Sequence, residues 1–231
     1  MSTADQNIKQ SVLQTIMTKQ FYTRDELADY LNKYDLDFNA FILESNEKLA
    51  SLGYEIRKVI SDYNGIEYYG FCPTFEDSFA SEGLIFKADV VQLFYRFLNM
   101  VIEATLNHES SILIGQILDS TPPDHTQIQT QEGLKQLQEY GYVEFRGDRV
   151  RLGPRGLLEF RPTFSKIESK DDSQEIQSCT ICVDFLLAGM KCSKCSTFMH
   201  RHCYNHYISN RDGPVICPVC KNPGDFVEFG M

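Results

Sequence analysis

Seven of the eight cysteines (Cys179, Cys182, Cys192, Cys195, Cys203, Cys217, Cys220) fall within 42 consecutive residues, and His200 lies among them. The string runs Cys179-x2-Cys182-x9-Cys192-x2-Cys195-x4-His200-x2-Cys203-x13-Cys217-x2-Cys220. Two donors separated by two residues can share a tight knuckle and reach one ion at about 2.3 Å, so each pair fills half a tetrahedron. Four pairs complete two Zn2+ sites. In an interleaved arrangement, Cys179, Cys182, His200 and Cys203 hold the first ion, and Cys192, Cys195, Cys217 and Cys220 the second. Spacing alone also admits sequential pairing, but interleaving lets so short a stretch fold without its own core. Structural zinc supplies roughly 10–16 kcal/mol of apparent binding energy to such peptides. Both sites would be full, which argues against hydrolysis at an open metal position. His202 and His206 are left over and read as surface residues, although His206 could in principle displace His200.

The surroundings favour metal over disulfides. Met1 to Gln10 is polar and lacks the apolar segment of a secretory signal. Paired C-x2-C thiols without such a signal point to a reducing compartment, cytosol or nucleus. Residues 179–221 hold five basic and two acidic side chains, so seven thiolates and two zinc ions bring the module close to neutral. The eighth cysteine, Cys72, stands beside Pro73 and reads as a small buried apolar residue.

The chain has 231 residues with 42% hydrophobic and 23% charged side chains, ordinary globular composition with material for real cores. No apolar run approaches the roughly 18 to 20 residues of a membrane helix. The net charge of −10 argues against a strongly basic nucleic-acid binder.

Residues 1–78 read as three helices and a hairpin. Ile8, Val12, Leu13, Ile16 and Met17 recur at helical spacing. Thr23 and Glu26 form a capping-box signature before Leu27, Tyr30 and Leu31. A third helix after Asp37 is expected to bury Phe38, Phe41, Ile42, Leu49 and Leu52 and to stop at Gly53. Tyr54–Ser61 and Ile66–Cys72 flank Asn64-Gly65, a hairpin signal. Residues 85–162 repeat the plan. A helix from Lys87 to about Ala104 leads to a second helix after Ser110-Ser111 carrying Ile112, Leu113, Ile117 and Leu118. A third begins near Thr130 and ends at Gly141, and Tyr142–Phe145 and Arg149–Leu152 bracket a Gly147-Asp148 turn. A shift of 88 residues lays Leu49…Gly53-Tyr54 on Leu137…Gly141-Tyr142. The expected fold is α+β: tandem winged-helix domains, a polar linker over 163–178, a small zinc-dependent module over 179–221 and a short tail over 222–231.

The ligand order, four cysteines, one histidine and three cysteines, resembles variant RING domains and also PHD fingers. The x4 gap before His200 suits a PHD finger. Ile181 within the first pair and Pro218 after Cys217 favour a RING. A PHD finger places an aromatic residue where Val215 stands, and the chain contains no tryptophan. Tandem winged helices ahead of such a module resemble one family, the RING-bearing non-SMC element 1 subunits of the SMC five/six complex. The resemblance covers nearly the whole chain and is most specific over 179–221, including the Phe198-Met199-His200 entry to the fifth ligand. It implies a nuclear, chromatin-associated protein that binds a MAGE-family subunit through the winged-helix region, with a kleisin subunit nearby. It also implies RING-type ubiquitin ligase activity, assisted by the MAGE partner.

In RING ligases the positions of Ile181 and Pro218 form the apolar groove for a ubiquitin-conjugating enzyme. Tyr207 takes the place of the tryptophan that many RINGs carry, and Lys221 that of an arginine just after the eighth ligand. Both departures imply weak or partner-dependent ligation. The alternatives are a non-catalytic zinc-braced scaffold and a PHD-like histone-tail reader.

A DNA-reading winged helix carries basic residues on its third helix. Residues 38–52 offer Glu44, Glu47 and Lys48, and residues 130–140 offer Glu132, Lys135 and Glu139, so direct DNA binding is expected to be weak or absent. The second wing and its exit (Arg146, Arg149, Arg151, Arg155, Arg161 against Glu144, Asp148, Glu159) could touch phosphates weakly, but read rather as a solvated, salt-bridged wing.

Overall fold

The computed structural model describes residues 3–19, 21–74, 86–164, 177–209 and 213–230. The first unit comprises α1 (Thr3–Lys19), β1 (Phe21–Thr23), α2 (Arg24–Asn32), α3 (Phe38–Ala50), β2 (Tyr54–Ile60) and β3 (Glu67–Pro73). The second comprises α4 (Ala88–Leu106), β4 (Ser111–Leu113), α5 (Ile114–Asp119), α6 (Gln127–Glu139), β5 (Val143–Arg146) and β6 (Arg149–Leu152). Each runs helix, strand, helix, helix, strand, strand. The two antiparallel sheets have equivalent orders, β1-β3-β2 and β4-β6-β5. This is the winged-helix topology, used twice in an α+β chain.

Local chemistry sets the boundaries. The Thr23 hydroxyl accepts the Glu26 N–H at 3.2 Å while the Glu26 carboxylate accepts the Thr23 N–H at 2.9 Å, opening α2. Asp37 caps α3 by accepting the Ala40 N–H at 2.8 Å. Thr126 and Gln129 form a second capping box, so α6 starts at Gln127, ahead of the first apolar repeat. Gly53 and Gly141, both at φ +76°, turn the chain after α3 and α6, and Leu49 and Leu137 are buried before them. The 88-residue equivalence therefore extends to backbone conformation. Leu52 does not join this core and is 67% exposed, because the turn after Ala50 carries it off the helical stripe.

Two elements depart from the sequence reading. Ile112 and Leu113 are not helical but form β4, with Ile112 opposite Val150, and the helix starts only at Ile114. The edge of β6 captures these residues, a tertiary pairing that outweighs local periodicity. A further helix, α7 (Pro154–Phe164), follows the second wing. Pro154 at its first turn costs no hydrogen bond. Pro162, inside it, cannot donate to the Leu158 carbonyl, and Arg57 Nη1 from β2 fills that place at 2.8 Å. Arg155 and Glu159 pair at 2.7 Å, both buried, and the Tyr142 hydroxyl donates to the same carboxylate. One apolar cluster then runs from Val59, Tyr63 and Cys72 of the first unit through Phe94, Phe97 and Leu157 to Phe185, Leu187 and Ala188.

The C-terminal module has β7 (Gly189–Cys192), β8 (Phe198–Met199), α8 (Arg201–Ser209) and β9 (Phe226–Phe229), in sheet order β8-β7-β9. The short tail over 222–231 thus contributes a strand, with Gly189 opposite Phe229 and Cys192 opposite Phe226. The Gly230 carbonyl accepts the Ser110 hydroxyl of the second unit. Most of the expected linker, 165–176, lies outside the described residues. No helix among the described residues is long and apolar enough to cross a membrane.

Candidate metal centres

Two knuckles of the same construction carry half of the cysteines. In the first, the Val183 N–H donates to the Cys179 carbonyl at 2.7 Å, and Val183 adopts φ +63°. In the second, the Lys221 N–H donates to the Cys217 carbonyl at 3.1 Å, and Lys221 adopts φ +59°. Each loop is clamped at its base by a bridge, Ser178 with Phe185 and Ile216 with Pro223. Two non-glycine residues in the left-handed region, each just after the second cysteine, are strained conformations that such a loop has to overcome.

The structure brings Cys179, Cys182, His200 and Cys203 together as one set and Cys192, Cys195, Cys217 and Cys220 as another, each with its donor atoms within 4.8 Å of one another. The order is interleaved. His200 follows β8, and Cys203 lies one helical turn on, in α8, so both face the first knuckle. Cys192 ends β7 and Cys195 sits in the loop that follows.

A tetrahedral ion with sulfur at about 2.3 Å and nitrogen at about 2.0 Å has a sulfur–sulfur edge of about 3.8 Å and a sulfur–nitrogen edge of about 3.5 Å. Cys195 Sγ and Cys217 Sγ are 3.7 Å apart, and His200 Nδ1 lies 3.2 Å from Cys182 Sγ and 3.8 Å from Cys203 Sγ. The residues fit a metal ion in each set. Each set has four donors, which fills a tetrahedron.

The thiols differ in acidity. Burial works against ionisation of Cys179, but the His200 ring and backbone N–H groups of Cys182, His200 and Ile181 hold it down to about 6. Cys217 is likewise held to about 6, against burial, by the Thr197 hydroxyl and the Cys220 and Val219 N–H groups. Burial and neighbouring sulfurs push Cys203 up, and burial above all raises Cys192 to about 11. The thiols of each set thus differ in acidity, and the protons they carry leave as a cation arrives.

The other sequence-predicted residues are distributed as follows. Ile181 is 42% exposed, and its neighbour Val183 is 78% exposed. On the second knuckle Pro218 is half-buried and Val219 is 56% exposed. The Tyr207 hydroxyl donates to the Ile216 carbonyl at 2.7 Å, and Lys221 Nζ donates to the Pro218 carbonyl at 2.6 Å. His206 is exposed, whereas His202 is half-buried, its ring stacked on His200 at 4.9 Å.

The arginines behind the second wing are not a uniformly solvated surface. Arg155 and Arg161 lie in α7, Arg155 buried and Arg161 half-buried. Arg151 covers the Tyr63 ring at 4.2 Å and binds Glu144 at 2.9 Å, and Arg149 binds Ser111 and Glu109. Arg146 matches the expectation, exposed with Glu144 at 3.9 Å. The helix α7, absent from the sequence reading, accounts for the burial of Arg155 and Arg161. Gly153-Pro154 followed by Leu157, Leu158, Phe160 and Phe164 was the available signal.

The family described as "Nse1 non-SMC component of SMC5-6 complex" matches residues 2–115, and a "RING-like domain" family matches residues 179–220. Relatives described as "Non-structural maintenance of chromosomes element 1 homolog" are similar over most of both chains. The Drosophila melanogaster protein is 28% identical over 79% of this chain and 76% of its own length. The Rattus norvegicus protein is 26% identical over 89% and 73%, and the Homo sapiens protein 25% over 87% and 70%. A solved chain from an "Nse1-Nse3-Nse4 complex" superposes with a TM-score of 0.73, at 16% identity, over 92% of this chain and 94% of that one. With an Nse1 family matched over residues 2–115, a RING-like domain at the two four-donor sets, and relatives aligned over 79–89% of the chain, this protein is similar to the Nse1 family of SMC5–6 complex components along most of its length.

Proposed function

We propose that this chain is a RING-type ubiquitin ligase subunit of the SMC5–6 complex, acting in chromosome maintenance and DNA repair in the nucleus, on chromatin. The carrying observation is the apolar surface that the two knuckles leave exposed, Ile181 and Val183 on one and Val219 beside Pro218 on the other. Exposed apolar side chains on so small a module fit a docking surface for a ubiquitin-conjugating enzyme. Soft sulfur donors with one imidazole suit zinc, so the two sets are assigned as structural Zn2+ sites: Cys179, Cys182, His200 and Cys203 for one, and Cys192, Cys195, Cys217 and Cys220 for the other. Zinc would supply folding energy here and no reaction step. The proposed domains are winged helices at 1–78 and 85–162, a linker at 163–178, the RING at 179–221 and a closing segment at 222–231.

Ligation of this kind forms no bond to the ligase. The knuckles would hold the conjugating enzyme so that its ubiquitin thioester samples fewer poses, and the rate gain is one of orientation. By likeness to the Nse1–Nse3–Nse4 structure, a MAGE-family Nse3-type subunit and a kleisin Nse4-type subunit are the proposed partners, with the MAGE subunit on the winged helices. The internal partners of Arg149, Arg151, Arg155 and Arg161 support weak or absent direct DNA binding.

The test is discharge of ubiquitin from a charged conjugating enzyme, with and without the MAGE-family subunit. Stimulation that Ile181→Ala reduces at least fivefold, with two zinc ions per chain by elemental analysis, is the expected result. No stimulation by any conjugating enzyme tried, with or without the partner, leaves the second reading, a zinc-braced scaffold. The bonds from Tyr207 and Lys221 back to the second knuckle favour that reading, because they use both residues as braces.

A further inference from the structure

We propose that Asp62 and Arg161, both outside the cysteine module, form the outer shell of the first metal centre and hold its histidine ligand in place. The inference rests on the reading that this centre binds metal.

His200 presents Nδ1 to Cys182 and Cys203, so Nδ1 is the donor and the ring proton resides on Nε2. Nε2 faces the Phe185 carbonyl at 3.0 Å, with Asp62 Oδ1 at 3.5 Å. Arg161 organises both. Its Nη2 donates to the same Phe185 carbonyl at 2.7 Å, its Nη1 to Asp62 Oδ1 at 3.0 Å, and its Nε to Asp184 Oδ2 at 2.8 Å. Nη2 and Nε2 stand 2.8 Å apart because both aim at one carbonyl oxygen. The second Asp62 oxygen accepts the Leu187 N–H at 2.8 Å, fastening the strand of chain that leads from the first knuckle. The Asp62 side chain has no solvent exposure and that of Arg161 only 12%.

Asp62 comes from the β2–β3 turn of the first winged helix and Arg161 from α7. The first centre is therefore completed by groups far away in sequence. The second centre draws its bonds from its own module: the Thr197 hydroxyl approaches Cys195 at 3.0 Å and Cys217 at 3.5 Å. Among the described residues, only the first centre is tied to the body by side-chain hydrogen bonds, so its occupancy and the seating of the module are coupled. Groups that orient a histidine ligand in this way typically alter metal affinity about tenfold to a hundredfold.

The test uses the full chain loaded with cadmium, whose NMR spectrum separates a three-sulfur, one-nitrogen site from a four-sulfur site. Asp62→Asn keeps the Leu187 bond and removes the charge. It is expected to shift the resonance of the nitrogen-containing site, to leave the four-sulfur resonance in place, and to speed chelator-driven loss of one equivalent about tenfold or more. Arg161→Lys, which cannot span three acceptors, carries the same expectation if Asp62→Asn does not fold. Glu159→Gln disturbs a buried ion pair in the same helix and is expected to move neither resonance. Unshifted resonances with wild-type release rates in Asp62→Asn or Arg161→Lys would overturn the proposal, as would equal movement of both sites or a matching effect of Glu159→Gln. Fewer than two cadmium ions bound by the wild-type chain would instead count against the metal reading itself.

Discussion

Cys72 lies in β3 against α7 and is 1% exposed, and burial pushes its thiol up to about 12 from an ordinary value of 9.0. The neutral thiol is favoured in the folded chain, so its contribution to stability is present below pH 9 and is lost as pH rises from there toward 12. Native protein treated with iodoacetamide at pH 8 is expected to leave Cys72 unmodified, with labelling only in denaturant. Mass mapping checks this, and native labelling of Cys72 refutes it. Gly141 poses a different constraint. At φ +76° a Cβ there would stand 2.4 Å from the Phe21 ring of the other winged helix. Gly141→Ala is expected to lower stability by about 1–3 kcal/mol in urea unfolding, through left-handed strain and overpacking together.

At the scale of elements, α7 holds the chain together. Pro162 deprives Leu158 of its helical donor, and Arg57 supplies one from β2 while also bonding Pro73 at 3.1 Å. Arg57→Met is expected to destabilise by about 1–3 kcal/mol, the cost of leaving a buried carbonyl unpaired. Pro162→Ala restores an N–H four residues along from Leu158, so the double variant should lose less than the sum of the single effects. A double-mutant cycle measures this, and strict additivity would show that the two residues do not share the Leu158 carbonyl.

Across the whole molecule, the first winged helix and the cysteine module keep small cores of their own, and one larger apolar cluster reaches from both winged helices into the module. Phe164 of α7 stacks on Phe185 at 5.1 Å, and Phe198 and Phe229 enclose His108 at the end of α4. Removing metal should therefore weaken more than the module. In the presence of a strong chelator, the thermal transition followed by helical circular dichroism is expected to fall by about 5 °C or more. A helical transition unmoved by chelation would mean that module and body unfold independently.

Features whose physics is local are legible in the residues alone. Ligand spacing sets which residues can share an ion, Thr23, Asp37 and Gly53 mark helix ends by their own hydrogen bonds and backbone freedom, and the repeat around Gly141 is legible for the same reason. Apolar periodicity likewise locates α4 and its buried face. Features that depend on distant partners emerge only when the chain packs. Ile112 and Leu113 became a strand because β6 offered an edge. Phe226 to Phe229 became a strand because β7 did. Arg161 carries no motif that distinguishes it from Arg146. It lies over the first metal centre because α7 packs between the two wings and the module, and a guanidinium brought to the buried Asp62 carboxylate, with the more exposed Asp184 beside it, binds them there rather than meeting solvent.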